Sequence, residues 1–150
     1  MTCNLRIKFI FWDIKKIPGN DNLIIQGNYK GLSIFEKQNN QWIFRNKIAG
    51  FDISSRFFEF TKSNELIVNH EFKGVFRLIL DQNFTKVQQV IAKPVMGSGA
   101  SLVSYNDAIL YTSYNGVFKY NEKFKDFERD SLFSSLFFKD DDRLIGIIVP

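Results

Sequence analysis

The sequence predicts an all-β fold built from repeated four-stranded sheets, and three observations carry that expectation. The first is composition. The 150 residues include 17 Phe, 5 Tyr and 2 Trp against 9 Gly and 3 Pro, and aromatic side chains favour pleated, half-buried strands. The second is a glycine-centred segment that occurs three times, with Gly31, Gly74 and Gly116 lying 43 and 42 residues apart. The third is that no window sustains a 3.6-residue apolar period, the mark of an amphipathic helix.

The three copies align without a gap as Leu23–Leu32 (LIIQGNYKGL), Leu66–Val75 (LIVNHEFKGV) and Ala108–Val117 (AILYTSYNGV). Each opens on aliphatic residues, passes an aromatic and a Lys or Asn, turns at Gly and leaves through Leu or Val. That is the pattern of a β-hairpin whose glycine supplies a turn conformation costly for other residues. A first strand is expected before each hairpin, at Leu5–Trp12, Ile53–Phe60 and Ser101–Tyr105. A fourth is expected after it, at Gln41–Phe44, Thr85–Val90 and Lys125–Glu128. Pro18–Asn22, Gln38–Asn40, Lys62–Asn64 and Asn106–Asp107 supply turn chemistry between strands. Four antiparallel strands in roughly 40–45 residues is the signature of a β-propeller blade.

After the third unit, Ser134–Phe138 echoes Ser54–Phe58, and a turn at Asp140–Asp142 leads into Leu144–Ile148. These residues predict the opening of a fourth blade. The expected organisation is one β-propeller segment with blades at about 5–48, 51–91 and 99–129 and a partial blade at 131–150, about three and a half blades in an open arc. Propellers close with about 4–8 blades, so such an arc leaves the outer faces of its terminal blades bare, an apolar patch of the kind that marks an interface. The expected partners are the remaining blades of a larger propeller, or a second copy of the chain.

Composition also narrows the chemistry. One His and one Cys leave no set of about four N/S ligands for structural zinc and no partner thiol for a disulfide. The net charge of +4 and pI near 9.2 come from lysines interleaved with acids, as in Glu36-Lys37, Glu122-Lys123 and Lys125-Asp126. That pattern is a mixed solvated surface and not a nucleic-acid stripe. No run approaches the roughly 18 apolar residues of a membrane-spanning helix, so no membrane insertion is expected of this segment. Phe9–Trp12 is too short for a signal-peptide core, so an exported protein would carry its leader elsewhere. Cys3, in a terminal segment expected to fray, is not expected to be catalytic. Asp140–Asp142 lacks the alternation, glycine and distal Glu of a calcium loop. Gly97-Ser98-Gly99 lacks the helix and Lys-Ser/Thr pair of a phosphate loop and reads as a linker between blades. Trp12-Asp13 matches the WD dipeptide once, without the repeat. Asn83-Phe84-Thr85 fits a glycosylation pattern that matters only in a eukaryotic secretory setting. No cofactor, metal or catalytic residue is expected.

The candidate surface is geometric. In a four-stranded blade, the turns between second and third strands emerge at the same end as the linkers between blades. Those turns carry Tyr29 and Lys30, Phe72 and Lys73, and Tyr114 and Asn115, and His70 stands beside the second of them, in register with Gly27 and Thr112. Aromatics repeated beside polar groups can stack on a glycan or peptide and bond its edges. The competing account has the aromatic packing beneath the hairpin and the Lys or Asn serving the turn.

These hairpins, as in Tyr114-Asn115-Gly116-Val117-Phe118-Lys119-Tyr120, resemble the repeats of the two-component regulator propeller, which build the sensor regions of certain bacterial transmembrane regulators. Phe51–Phe60 (FDISSRFFEF) and His70–Phe76 (HEFKGVF) are similar to the branch that continues into a triple-tyrosine domain, a membrane helix and a LuxR-type DNA-binding domain. The resemblance covers residues 20–150, with LIIQG at Leu23–Gly27 where the commoner repeat has Leu-Trp-Ile-Gly-Thr. It implies a periplasmic, non-enzymatic propeller that senses a ligand and relays its occupancy to a membrane-anchored regulator, with no direct contact to nucleic acid. Two other classes stand against it. A WD- or kelch-like interaction scaffold would show Gly-His and Trp-Asp marks at the repeat period. A propeller hydrolase would show a recurring acid/base pair or the Ser-x-Asp-x-Gly-x-Thr-Trp box. This sequence has neither.

Overall fold

The computed structural model describes residues 11–137, which form twelve strands and one short helix. The strands make three four-stranded antiparallel sheets, each a meander in chain order. Sheet 1 holds β1 (Phe11–Lys16), β2 (Leu23–Asn28), β3 (Gly31–Gln38) and β4 (Gln41–Lys47). Sheet 2 holds β5 (Phe57–Lys62), β6 (Glu65–His70), β7 (Gly74–Leu80) and β8 (Val87–Lys93). Sheet 3 holds β9 (Ser101–Tyr105), β10 (Ala108–Ser113), β11 (Gly116–Asn121) and β12 (Asp126–Arg129). The all-β class, the number of complete units and the four strands in each agree with the sequence expectation.

Turn chemistry explains the sharp corners and several shifted boundaries. Asn39 and Asn40 (φ 49° and 62°) and Asn106 and Asp107 (φ 46° and 60°) sit left-handed, the two-residue geometry whose twist matches paired strands and which Asn and Asp tolerate best. β5 begins at Phe57 and not at Ile53, because the segment before it is a linker tied down by the Ser55 N–H, which donates to the Asn28 carbonyl at 3.0 Å. β8 begins at Val87 and not at Thr85. Asp81 holds the Thr85 and Lys86 N–H groups at 2.7 and 2.9 Å and folds them into the turn. β12 starts after Lys125, whose φ of 54° is incompatible with a strand. β1 runs on to Lys16, and the predicted residues Leu5–Ile10, like Cys3, lie outside the described residues.

Two of the three repeat glycines share a physical cause. Gly31 and Gly74 adopt φ of 105° and 109°, and each is crossed closely by backbone. A Cβ on Gly31 would meet the Phe51 carbonyl oxygen at 2.1 Å, and one on Gly74 would meet that of Lys93 at 2.1 Å. Both the conformation and the close approach exclude a side chain. The spacing of Gly31 and Gly74 therefore records where the exit segments of sheets 1 and 2 pass over their own hairpins, whereas Gly116 (φ 139°) has only the Ser134 and Arg129 side chains nearby, at 3.3 Å and beyond.

Sheet 2 is buried on both faces. Phe58, Leu66, Val68, Phe76 and Leu78 share one core with Leu23, Ile25, Leu32 and Ile34 of sheet 1. Ile67 and Val75 share a second with Leu102, Ile109 and Tyr111 of sheet 3. This explains the near-continuous apolar run of β6 and β7, since a strand covered on both sides has no solvent face for polar residues. Near the outer edges, Arg45 donates to the Asn83 carbonyl at 3.2 Å and Asn46 to that of Phe84 at 3.0 Å, locking β4 onto the β7–β8 turn.

The first strands of the sheets approach one another, β5 lying beside both β1 and β9. Lys15 of β1 pairs with Glu59 of β5 at 3.0 Å and with Asp13 at 3.2 Å, and the Ser104 backbone amide of β9 lies against the Glu59 carboxylate. Burial raises the Glu59 carboxyl pKa, and Lys15 offsets only part of that rise. Burial also disfavours the Lys15 ammonium, but the Glu59 and Asp13 carboxylates outweigh it and raise its pKa.

The expected fourth blade departs from the structure at its start. Ser131–Phe137 form α1 and not a strand. Asp130 acts as the N-cap: its carboxylate accepts the Phe133 N–H at 2.9 Å. Ser134 Oγ accepts from the Val117 N–H and donates to the Val117 carbonyl, both at 3.2 Å, so the helix continues the edge of β11 where β12 has ended. Phe133 lies edge-on to Tyr105 of β9 at 6.0 Å. The rest of the predicted partial blade, including Asp140–Asp142 and Leu144–Ile148, lies outside the described residues. On the face of sheet 1 turned away from sheet 2, Ile14 is 47% and Phe44 50% exposed, whereas Gln26 and Ser33, paired across the same face, are buried.

Two outcomes follow for stability. Gly31→Ala and Gly74→Ala each cost at least twice what Gly19→Ala costs, since Gly19 shares the positive φ but has open space around it; the Gly19 penalty is about 1–2 kcal/mol of backbone strain. Equal costs by urea denaturation contradict the crossing-backbone account. Lys15→Met costs about 2–4 kcal/mol by stranding the Glu59 carboxylate, whereas Lys15→Met with Glu59→Leu costs less than the single change, which a double-mutant cycle measures.

Candidate functional site

The ends of the three second strands do the same work with different side chains. Asn28 Oδ1 accepts the Lys30 N–H at 2.9 Å, His70 Nδ1 accepts the Phe72 and Lys73 N–H groups at 3.1 and 3.2 Å, and Ser113 Oγ accepts the Asn115 N–H at 3.2 Å. Each closes its hairpin loop by a local side-chain-to-backbone bond. Strand pairing confirms the equivalence, because Asn28, His70 and Ser113 stand opposite Gly31, Gly74 and Gly116. This corrects the gapless alignment. The second loop (Glu71, Phe72, Lys73) is one residue longer than the others, so His70 corresponds to Asn28 and Ser113, and Asn69 is the residue in register with Gly27 and Thr112.

The first and second hairpins meet in a cleft of about 190 Å³ lined by Trp12, Tyr29, Ser54, Arg56, Phe57, Asn69, His70, Glu71 and Phe72. Trp12 and Tyr29 pack edge-on at 4.8 Å. The Arg56 guanidinium lies over both the Trp12 and Phe57 rings, at 5.2 and 5.0 Å, and forms no ion pair among the described residues. Tyr29 is 55% and Phe72 80% exposed, so their rings are available at the mouth. Asn69, only 1% exposed, has neither amide atom hydrogen-bonded, and Trp12 Nε1 is also buried and unpaired. A groove of about 250 Å³ between sheets 2 and 3 differs in kind. Its cations are already matched, Arg77 and Lys125 with Glu65 and Lys93 with Asp126.

Of the sequence candidates, Tyr29, His70 and Phe72 come together in the cleft, and Lys30 and Lys73 stand exposed on its flanking loops. Tyr114 and Asn115 are elsewhere. Tyr114 lies against Gly99, where a Cβ would meet its ring at 2.8 Å, and Asn115 donates to the Met96 carbonyl at 3.1 Å. The third hairpin thus packs on the linker between sheets 2 and 3. Sequence reasoning missed Trp12, Ser54, Arg56, Phe57, Asn69 and Glu71. The available signal was Ser-Ser-Arg-Phe-Phe at Ser54–Phe58, where a cation precedes a strand on the linker that crosses a hairpin end. Among the described residues no group of three or more His, Cys, Asp or Glu could hold a metal ion.

His70 has a stated role in the loop, and its titration tests it. Burial lowers its pKa from the ordinary 6.5, the Lys73 charge adds to this, and Glu71 opposes it. The unfolded chain therefore takes up the proton first. The stability from this clamp is present above about pH 6.5 and is lost as pH falls through the lowered folded value. The unfolding midpoint of the wild type is expected to fall from pH 7 to 5 more steeply than that of His70→Asn, and parallel profiles contradict the clamp. Comparison of the chain with protein-family models, with curated proteins and with solved structures finds no match.

Proposed function

We propose that the chain is a non-enzymatic, ligand-binding segment of a β-propeller, from the sensor region of a bacterial signal-transducing regulator held in the periplasm by a larger membrane-anchored protein. Adjacent first strands β1, β5 and β9, meander sheets packed face to face and hairpin ends crossed by exit segments support sheets standing as wedges around one axis. The hairpin resemblance supports the regulator family.

The observation that carries the reading is the rim cleft. Four aromatic rings and an unpaired, ring-stacked guanidinium at the junction of two repeats make a concave site with few convergent polar groups, the form that small-ligand sites take. A second reading, an interaction scaffold, has its own observation. Trp42, Ile43 and Phe44 of the edge strand β4 are 44%, 44% and 50% exposed, and an apolar edge strand invites pairing with another chain. Remaining blades or a second copy would cover it.

A panel of glycans and short peptides titrated against the full chain separates the two. In the sensor reading Tyr29→Ala and Phe72→Ala weaken the bound member at least about tenfold, and Trp42→Ser leaves binding unchanged. Loss of binding on Trp42→Ser with Tyr29→Ala silent overturns the rim site.

A further inference from the structure

We infer that the rim cleft takes the C-terminal residue of a peptide, with its carboxylate on Arg56 and its amide on Asn69. The inference rests on the rim cleft being the ligand site proposed above. Arg56 is the anchor. Its guanidinium lies over both the Trp12 and Phe57 rings, at 5.2 and 5.0 Å, and these two contacts favour one position of the exposed side chain before a ligand arrives. Its planar fork matches a carboxylate through two parallel bonds, and no carboxylate among the described residues pairs with it.

Asn69 sets the second requirement. Its carboxamide carries a donor and an acceptor, both unpaired in a nearly closed position of the cleft wall. Buried amides are ordinarily paired because leaving them bare is costly. A ligand amide, with one N–H and one carbonyl, satisfies both at once when the wall yields enough to admit it, since solvent reaches neither atom in the free structure. The aromatic walls then suit an apolar side chain, and Tyr29 and Phe72 are exposed to receive it. Glu71 also lines the cleft and repels a second negative charge, which selects a ligand with a single carboxylate. A volume of about 190 Å³ holds one terminal residue and excludes a folded partner.

Trp42→Phe leaves Trp12 as the sole tryptophan of the full chain, so fluorescence in that background reports the cleft. N-acetyl-L-phenylalanine is expected to quench Trp12 saturably, and N-acetyl-L-phenylalaninamide to bind about tenfold or more weakly, since it lacks the charge. Arg56→Gln is expected to abolish that preference. Asn69→Leu is expected to weaken acid binding about tenfold while raising the unfolding midpoint, a pairing that a purely structural asparagine does not produce. Equal affinity for acid and amide overturns the carboxylate role of Arg56. Saturable binding of glucuronate without binding of the acetylated amino acid overturns the peptide class and leaves the cleft as the site. Silence toward all three probes overturns the inference and the rim site together.

Discussion

One buried carboxylate stands where the first strands of the three sheets approach one another. Glu59 sits on the first strand of the central sheet, Lys15 reaches it from the first strand of sheet 1, and the Ser104 amide of sheet 3 lies against it. Removing a carboxylate from water is costly unless it is paired and bonded. Lys15, and to a smaller extent the Ser104 amide, offset part of that cost, and they do so only while the first strands stay adjacent. Burial of sheet 2 on both faces supplies most of the cohesion, but apolar faces alone fix register and angle loosely. The Lys15–Glu59 pair and the edge locks from Arg45 and Asn46 define them.

That arrangement produces the cleft. Exit segments must leave each sheet at the end where its second hairpin turns, and they cross that hairpin closely enough to demand glycine at Gly31 and Gly74. The linker from sheet 1 to sheet 2 carries Ser54 and Arg56 over the same rim, pinned by the Ser55–Asn28 bond. Trp12 enters from β1 and the longer loop of the second hairpin projects Phe72. The third hairpin differs because Tyr114 and Asn115 are spent on the linker before β9. A repeat in sequence therefore yields one open cleft and one closed junction.

Much of this was legible in the residues and some was not. The repeat glycines exposed the hairpins because their cause is local, a positive φ at all three and a crossing backbone at Gly31 and Gly74. The inserted residue in the second loop was hidden, since Leu66-Ile67-Val68 aligns as well one position out of register, and only cross-strand pairing shows that His70 does the work of Asn28 and Ser113. Strand starts at Phe57 and Val87 were misjudged because their displacement depends on tertiary and turn bonds to Asn28 and Asp81. The helix at Ser131–Phe137 was missed because it is two turns long, too short for a period, and its signal is the single cap at Asp130. Tyr29, His70 and Phe72 were found from their place at hairpin ends. Arg56 and Asn69 were not, because the value of an unpaired cation or amide appears only when its neighbours in space are known.

The convergence of the three first strands is the claim on which the propeller reading and the rim cleft both stand, and the backbone amide of Ser104 reports it directly. In an NMR pH titration of the full chain, the Ser104 amide proton shift is expected to follow the ionisation of Glu59 with a midpoint above the ordinary carboxyl value of 4.5. A Ser104 amide that ignores Glu59, or a midpoint below that value, would contradict the account.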